Sequence, residues 1–411
     1  MKNAKYYGAI IFICWLAYLI SYLGRNNYSA CVLEIVQTTG ISRSLAGIVS
    51  SSFAISNAIG QLISTAITNK ISPIKIISLE IFSVAIINIL FPNTSNIFIM
   101  ALLWGINGFM QATLLCSITQ IFTESLEQPW LSRGAISLNT IGAVGGLINY
   151  LIAPFLIMLV DWKIVFFFVS SLLIIIGIIW CTLMPRLTLR TKKLFLSKND
   201  EKTDKLNNIF CFKLLKLNYV LCAIFILFII GSFRESIALW IPSYLNDVYK
   251  LSVEKSIILT AVVPFLQIIG AIIAGKTCNK INNLFLPVTI LFLITTMCFL
   301  LIALLGNINF IFTITLFVIN AISMTAALTF LLSLYPLKCM SDRNIPILVG
   351  IMNFFVHLGD FFASTSIGAL STIVGWNFTF LIMVILSVCA IIITLFGAKA
   401  EDKRIKQICL K

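Results

Sequence analysis

Two arginines lie inside long apolar stretches of this sequence. Arg25 lies within WLAYLISYLGRNNYSACVLEIV, and Arg234 lies within AIFILFIIGSFRESIALWIPSYL. A cation at membrane depth costs at least about 2.5–3.5 kcal/mol, so it normally faces a wet cavity or a charged partner. The guanidinium group can bind phosphate or carboxylate through two parallel hydrogen bonds, and it keeps its charge when desolvated. The two residues therefore predict a binding site for a small anion.

The alternative interpretation is that these arginines belong to structural salt bridges. Few acids are available for that role. Glu80 and Asp360 lie in other apolar runs, and Glu235 directly follows Arg234. Side chains at neighbouring positions of a helix point in different directions. We therefore expect no ion pair between Arg234 and Glu235, and anion binding is the favoured interpretation.

A polar stripe interrupts the apolar run that follows Gly350. Its residues fall at spacings of four, three and four, which places them on one face of a helix: Asn353, His357, Asp360 and Ser364. His357 is the single histidine of the chain. A histidine and a carboxyl group in a membrane cavity can exchange protons, so His357 and Asp360 are candidates for proton coupling. A polar seam between two helices is the alternative.

Other polar or aromatic side chains on the apolar runs are candidates for substrate contact: Tyr22, Asn107, Gln111 and Trp240. A bond from Asn107 to a neighbouring helix is an equally good interpretation. The sequence offers no nucleophile–base set, no GxxxxGK[ST] loop and only one histidine. We therefore predict no catalytic residue, no cofactor and no metal site, and we do not expect an enzyme or an ATPase.

Membrane-spanning helices are the elements that would position these residues. Of the 411 residues, 60% are hydrophobic and only 11% are charged, whereas soluble domains have about 25% charged residues. Twelve apolar runs, the first at 7–33 and the last at 376–398, approach or exceed the length of about 20 residues that crosses a bilayer. The runs are continuous rather than alternating, which favours helices over a barrel. An all-α membrane protein is predicted.

The net charge of +14 is unevenly distributed along the chain. Most of the lysines and arginines lie in the two termini, in the central loop and in every second loop, which is the positive-inside pattern. The pattern places both termini and the central loop in the cytoplasm, and we expect a multi-pass protein of the bacterial inner (plasma) membrane. The basic excess is thus an orientation signal toward the lipid bilayer, and no nucleic-acid partner is expected. The first run lacks a small-residue cleavage pattern, so we do not interpret it as a cleaved signal.

The sequence also contains two similar halves. Asn69 and Asn279 occur in matching NKI motifs about 210 residues apart, and Arg133 and Arg343 precede spans with the same shift. Arg25 and Arg234 have nearly that separation. We predict an N-terminal six-helix half at 1–184, a cytoplasmic linker at 185–217 and a C-terminal six-helix half with a short tail at 218–411. Two parallel six-helix repeats around a central site describe the major facilitator fold.

Several motifs resemble the organophosphate:phosphate antiporter branch of the major facilitator superfamily. They are YLGRNNYS, WGINGFMQ from Trp104, FRESIALWIPSYL from Phe233, and GWNFTFLI from Gly375. The resemblance implies that Arg25 and Arg234 hold a substrate phosphate and that a phosphate ester is exchanged for inorganic phosphate. The sequence departs from the pattern of the best-studied members at Gln61, where they carry lysine, and at Leu239, where they carry an acid.

The leading interpretation is a secondary active transporter of a small organic anion, a phosphate ester or similar, held between the two arginines during alternating access. Inorganic phosphate or protons would be the counter- or co-substrate, and the protein is expected to be a monomer. Two alternatives remain open. One is a proton-coupled transporter of a carboxylate or other organic anion, and the other is a membrane sensor that binds such an anion without moving it.

Overall fold

The computed structural model describes residues 2–68, 70–127, 130–138, 140–195, 218–278, 281–336 and 345–409. Twelve helical stretches in these residues are long and apolar enough to cross a membrane, which confirms the predicted number. They are α1 (Lys5–Thr39), α2 (Arg43–Ser64), α3 (Pro73–Asn93), α4 (Ile97–Ser125), α5 (Trp130–Leu159, across position 139), α6 (Lys163–Leu189), α7 (Tyr219–Tyr249), α8 (Val253–Thr277), α9 (Phe285–Leu305), α10 (Phe310–Leu334), α11 (Leu348–Ile373) and α12 (Gly375–Lys403).

Side chains in the short connections set where several helices begin and end. Asn96 precedes α4 and accepts hydrogen bonds from the backbone N–H groups of Phe98 and Ile99. Asn309 caps the start of α10 in the same way. These caps satisfy backbone donors that have no partner inside the helix. Gly40 follows the last residue of α1 with a φ of 70°, a left-handed conformation that glycine adopts without strain.

The helices pack in two equivalent groups of six. In the first half, α1 packs against α5 and α6, α3 against α6, and α2 against α4. The same pairs recur in the second half when each number is raised by six: α7 with α11 and α12, α9 with α12, and α8 with α10. This correspondence confirms the major facilitator fold with pseudo-symmetric halves that the repeats in the sequence predict.

In the described residues, the most extensive contacts between the halves are those of α2 with α11, α5 with α8, and α1 with α7. The first two pairs are equivalent under the same shift of six helices. Gly146 of α5 lies so close to Pro264 of α8 that a Cβ atom would come within 2.7 Å of the proline ring. Small residues at such crossings let two helix backbones approach each other. The space enclosed by these pairs is where a central site must lie.

Apolar side chains both fill each half and cover its outside. An aromatic cluster in the first half contains Tyr28, Phe91, Trp104 and Phe166. A second cluster occupies the other half and contains Tyr244, Phe317, Trp376 and Phe380. Large hydrophobic side chains are also strongly exposed, among them Phe98, Leu159 and Ile373. Such an exterior is stable against lipid and not against water.

Part of the predicted domain organisation lies outside the described residues. The helix that contains α6 continues through Pro185 as far as Phe195, eleven residues into the predicted linker. The remainder of the linker, 196–217, is not among the described residues, and neither are Asn69, Asn279 and Arg343. The limits 1–184, 185–217 and 218–411 therefore stay predictions.

Candidate substrate site

A polar cavity lies where helices of the two halves meet. Its volume is about 40 Å³, and a water molecule needs about 10–15 Å³ of such space. The cavity therefore has room for only a few waters. It is lined by residues from five helices: Arg25, Asn26, Ser29, Ser50, Phe53, Trp104, Glu235, His357 and Asp360. Three residues singled out in the sequence, Arg25, His357 and Asp360, thus come together here.

Arg25 enters the cavity as a cation that forms no ion pair among the described residues, although Glu235 and Asp360 line the same space. Its guanidinium carbon lies 4.7 Å from the centre of the Tyr22 ring and 5.5 Å from the centre of the Phe53 ring. Contacts of this kind stabilise a cation by about 0.5–2 kcal/mol. They hold the group in place and leave its five N–H donors available to an anion. Ser29 lies one helical turn further on and lines the same space.

Arg234 is engaged differently. One of its terminal nitrogens forms an ion pair with the Oε1 atom of Glu235, so the expectation that these neighbours do not pair is wrong. The Cβ atoms of adjacent helix positions do point in different directions. Two long flexible side chains can nevertheless bend along the helix surface until their ends meet. The Nε atom of Arg234 is buried without an acceptor in the described residues. Arg234 is not among the residues that line the cavity.

The predicted polar stripe on α11 faces two different neighbours. Asp360 accepts hydrogen bonds at its Oδ1 atom from the hydroxyls of Ser236, at 2.8 Å, and Ser364, at 2.9 Å. The Nε2 atom of His357 lies 3.3 Å from the side-chain nitrogen of Gln61 on α2. His357 and Asp360 share the cavity but do not bond to each other: His357 contacts α2, and Asp360 accepts from α7 and from Ser364 on its own helix. Their role in proton coupling stays a prediction.

Gln61 joins the halves on this side of the cavity. Besides contacting His357, it accepts a hydrogen bond from Asn353 of α11 and donates one of 2.7 Å to Asn57 of α2. Asn57 in turn donates to the carbonyl oxygen of Gly108 on α4, at 2.9 Å. Gln61, one of the two named positions where the sequence departs from the antiporter pattern, is thus part of a hydrogen-bond network that joins α2, α4 and α11.

The other candidates for substrate contact occupy packing positions in this conformation. Asn107 is fully buried, donates to the carbonyl oxygen of Gly24 at 3.0 Å and accepts from Gln111 at 2.8 Å. The indole nitrogen of Trp240 donates to the carbonyl oxygen of Ser364 at 2.9 Å. None of these three side chains lines the cavity, whereas the ring of Tyr22 packs against the guanidinium group of Arg25. Direct contact of these four residues with substrate stays a prediction.

Six lining residues were not identified from the sequence: Asn26, Ser29, Ser50, Phe53, Trp104 and Glu235. The spacing of Ser29 from Arg25 is a signal that could have identified it, because four residues return a helix to the same face. Glu235 was discounted because it adjoins Arg234. Trp104 opens the WGINGFMQ motif, but the motif assigns it no role, and Ser50 and Phe53 carry no signal that separates them from ordinary packing residues.

Hydrogen bonds close α2 against α11 beyond the cavity. The hydroxyl of Ser51 donates to the carbonyl oxygen of Phe361 at 2.5 Å and lies 2.8 Å from the hydroxyl of Thr365. Gln37 at the end of α1 donates to Asn246 near the end of α7, at 2.9 Å. The halves therefore meet at the ends of α1 and α7, and a ligand could not enter from that end without breaking these contacts.

Comparisons with known proteins agree with the fold and the motifs. The family model described as Major Facilitator Superfamily matches residues 14–364. The chain therefore belongs to the major facilitator superfamily, and it is an integral multi-pass membrane protein. Its expected resemblance to the organophosphate:phosphate antiporter branch is confirmed by the curated relatives.

One of these relatives is the membrane sensor protein UhpC of Escherichia coli, 24% identical over 176 residues, or 42% of this chain and 39% of the sensor. A probable hexose phosphate transport protein of Chlamydia pneumoniae is 25% identical over 39% of this chain and 36% of that protein. The glycerol-3-phosphate transporter of Bacillus subtilis is 28% identical over 60% of this chain and 58% of the transporter. The matches thus span between about a third and three fifths of these relatives. None of the three is named as an enzyme, in agreement with the prediction that this chain is not one.

Solved structures support the fold alone. A bacterial homolog of the human lysosomal transporter Spinster, inward-facing and occupied, has a TM-score of 0.79 at 15% identity and covers 96% of this chain and 97% of its own. The nucleoside transporter NupG has a TM-score of 0.73 at 14% identity, covering 95% of this chain and 98% of its own. Identities this low carry no information about substrate.

Proposed function

We propose that this protein is a secondary active transporter that moves a small organic anion across a membrane by alternating access. Arg25 is the primary anion-binding group, and Arg234 becomes the second one when Glu235 releases it. The bacterial relatives support a bacterial inner membrane, and the positive-inside distribution of charge supports an orientation with both termini in the cytoplasm.

The observation that carries this proposal is the state of Arg25. It lines the cavity between the halves together with Glu235 and Asp360, two aromatic rings pack against it, and it forms no ion pair or hydrogen bond in the described residues. A guanidinium in a largely closed, low-dielectric space is stabilised most by an anion that accepts two of its hydrogen bonds. A purely structural arginine would be expected to have such an acceptor from the protein.

The size of the cavity supports alternating access rather than a fixed receptor pocket. Sites that enclose small organic ligands have volumes of about 300–1,000 Å³, whereas this cavity has about 40 Å³. A ligand can be accommodated only if the halves separate. The contacts of α2 with α11 and of α5 with α8 are the ones that would open and close as the halves rock around the site.

The relatives named for glycerol-3-phosphate and hexose phosphate support a phosphate ester as the anion. Phosphate-ester exchange is tested with the purified protein in proteoliposomes loaded with inorganic phosphate. Uptake of labelled glycerol-3-phosphate, glucose-6-phosphate and a set of carboxylates is measured for the wild type and for Arg25→Lys. Lysine keeps the charge and loses the planar fork, so we expect uptake to fall by about tenfold or more.

Arg133→Lys is the matched control, because this exposed arginine lies over the ring of Trp130 and outside the cavity. It should transport normally. Equal uptake by wild type and Arg25→Lys, for every anion that is transported, would remove the basis for the site.

Two alternative functions are each supported by one observation. Proton-coupled transport of a carboxylate is favoured by Asp360, whose carboxyl group lies in the cavity with His357. A sensor without transport is favoured by the match to the Escherichia coli sensor. Uptake that requires an imposed pH gradient supports proton coupling. Binding to the purified protein that depends on Arg25, without any uptake, supports a sensor.

A further inference from the structure

The cavity contains two carboxylates that binding of an anion alone does not explain. Glu235 and Asp360 line it together with Arg25, and Arg234 is paired with Glu235. Two arginines and two carboxylates carry no net charge. A site selected only for a phosphate dianion would be expected to have an excess of positive charge, because each carboxylate repels the ligand in a space of low dielectric.

Each carboxylate keeps one oxygen without a hydrogen-bond donor in the part of the chain that the structure describes. Asp360 receives both of its donors, the hydroxyls of Ser236 and Ser364, at the Oδ1 atom. Glu235 receives Arg234 at its Oε1 atom. The Glu235 side chain is 30% exposed and Asp360 is half-buried, so water can reach these oxygens. A ligand that brings donors to the two atoms would replace that water and is favoured over a ligand that brings none.

We propose that the transported anion is a zwitterion: a small molecule whose phosphate or carboxylate group binds Arg25 and whose ammonium group binds between Glu235 and Asp360. This inference rests on the proposed function, since it requires the same cavity to be the transport site. The shared chemistry is one anionic group and one primary amine joined by a short linker.

The lining of the cavity matches such a molecule in both charge and hydrogen bonding. An ammonium group has three N–H donors and no acceptor. The free oxygens of Glu235 and Asp360 accept two of these, and the hydroxyl of Ser50, which lines the same cavity, is available for the third. With the anionic end against Arg25, no charge of the ligand or of the cavity is left without a partner. A proton on Asp360 would satisfy that carboxyl group and would leave the second oxygen of Glu235 without a donor.

The test uses two matched pairs of probes that differ by one amino group. They are ethyl phosphate with 2-aminoethyl phosphate, and propanoate with 3-aminopropanoate. Binding to the purified full-length protein is measured by calorimetry for each. We expect the amino member of at least one pair to bind about tenfold more tightly, the size of effect given by a hydrogen bond between charged groups. The pair that shows the effect identifies the anionic group as phosphate or carboxylate.

Glu235→Gln gives opposite effects on the two members of the responding pair. The advantage of the amine should disappear, and the probe without an amine should bind more tightly than in wild type because Arg234 loses its internal partner. A merely destabilised protein would bind both members of the pair more weakly.

Asp360→Asn, the second variant, should reduce the advantage of the amine even if Glu235→Gln does not fold. Glu127→Gln, an exposed acid outside the cavity, is the control and should change neither affinity.

Two results would overturn the inference. If the probes without an amine bind at least as tightly as their amino partners, and Arg25→Lys weakens that binding, the zwitterion is excluded while the proposed anion site stands. If no probe binds, both the zwitterion and the anion site as described are contradicted.

Discussion

Arg43 and Asp247 form an ion pair between the two halves, with 2.5 Å between the guanidinium nitrogen and the carboxylate oxygen. Arg43 is the first residue of α2, and Asp247 lies near the end of α7. Trp376, at the start of α12, donates from its indole nitrogen to the same carboxylate oxygen at 2.8 Å, and its ring lies 5.5 Å from the guanidinium carbon. The pair therefore holds one end of the molecule closed.

Breaking this ion pair should favour opening at that end. We expect Asp247→Asn to destabilise the closed arrangement by about 1 kcal/mol, because the pair is partly exposed, and so to raise the population of the open one about fivefold. The measurement is the rate at which a water-soluble thiol reagent modifies Ser50→Cys in a cysteine-free background. Arg43→Gln should have the same effect, and the double variant should add nothing further.

The acid Glu254 provides a matched control at the same end of the spans. It lies in the first turn of α8 and forms no ion pair in the described residues. Glu254→Gln should leave the labelling rate unchanged. Unchanged labelling in Asp247→Asn as well would mean that the ion pair does not restrain the closed end.

Gly47 determines how closely α2 approaches α11. A Cβ atom at this position would lie 2.5 Å from the carbonyl oxygen of Ser364 and 2.7 Å from the Cα atom of Thr365. We expect Gly47→Ala to separate the two helices and to slow transport by impairing closure, rather than to unfold a half, since each half has its own aromatic core. Gly275→Ala is the control, because nothing lies within 4 Å of its added Cβ.

Transport rate and unfolding temperature should be measured together for these glycine variants. Gly47→Ala should reduce the transport rate with only a small change in the unfolding temperature, and Gly275→Ala should change neither substantially. Normal transport by Gly47→Ala would show that this contact is not formed during the transport cycle.

The two buried arginines should respond unequally to substitution by lysine. Arg25 forms no ion pair in the described residues, whereas Arg234 is already paired with Glu235. For a simple phosphate ester we therefore expect Arg25→Lys to weaken binding by about tenfold or more, and Arg234→Lys to weaken it less. Equilibrium binding to the purified variants is the measurement. A larger loss for Arg234→Lys would mean that the ligand-bound state rearranges the pair and makes Arg234 the principal group.

Asp360→Asn tests the carboxyl group as a proton carrier. The amide resembles only the neutral acid and cannot cycle a proton. We expect uptake driven by a pH gradient to be lost, while exchange of a simple anion continues because Arg25 carries its binding. His357→Gln should shift the pH dependence of uptake or reproduce the loss. The assay is substrate flux into proteoliposomes with and without an imposed gradient.

The opposite outcome is equally informative. If wild-type uptake ignores the gradient and Asp360→Asn exchanges anions normally, proton coupling through α11 is excluded. The hydrogen bond between Asp360 and Ser236 would then serve the packing of α7 against α11.

The number of helices and the presence of two similar halves could be predicted from the sequence. Both depend on features that can be read along the chain itself. A run of about 20 apolar residues must be helical in lipid, since no water is present to satisfy its backbone. The shift of about 210 residues between Asn69 and Asn279 already implied two similar halves. For the same reason Arg25 was identified: a cation inside an apolar run requires a cavity or a partner wherever the chain folds.

The partners of the charged groups were decided only by the tertiary structure. Whether Glu235 reaches Arg234, and whether Asp360 turns to His357 or to Ser236, depends on the rotation of each helix about its axis and on side chains contributed by other helices. Gln61 and His357 are separated by 296 residues and meet only because α2 crosses α11. Spacing along one helix states which face a residue occupies, and the neighbouring helix that covers that face determines what the residue binds.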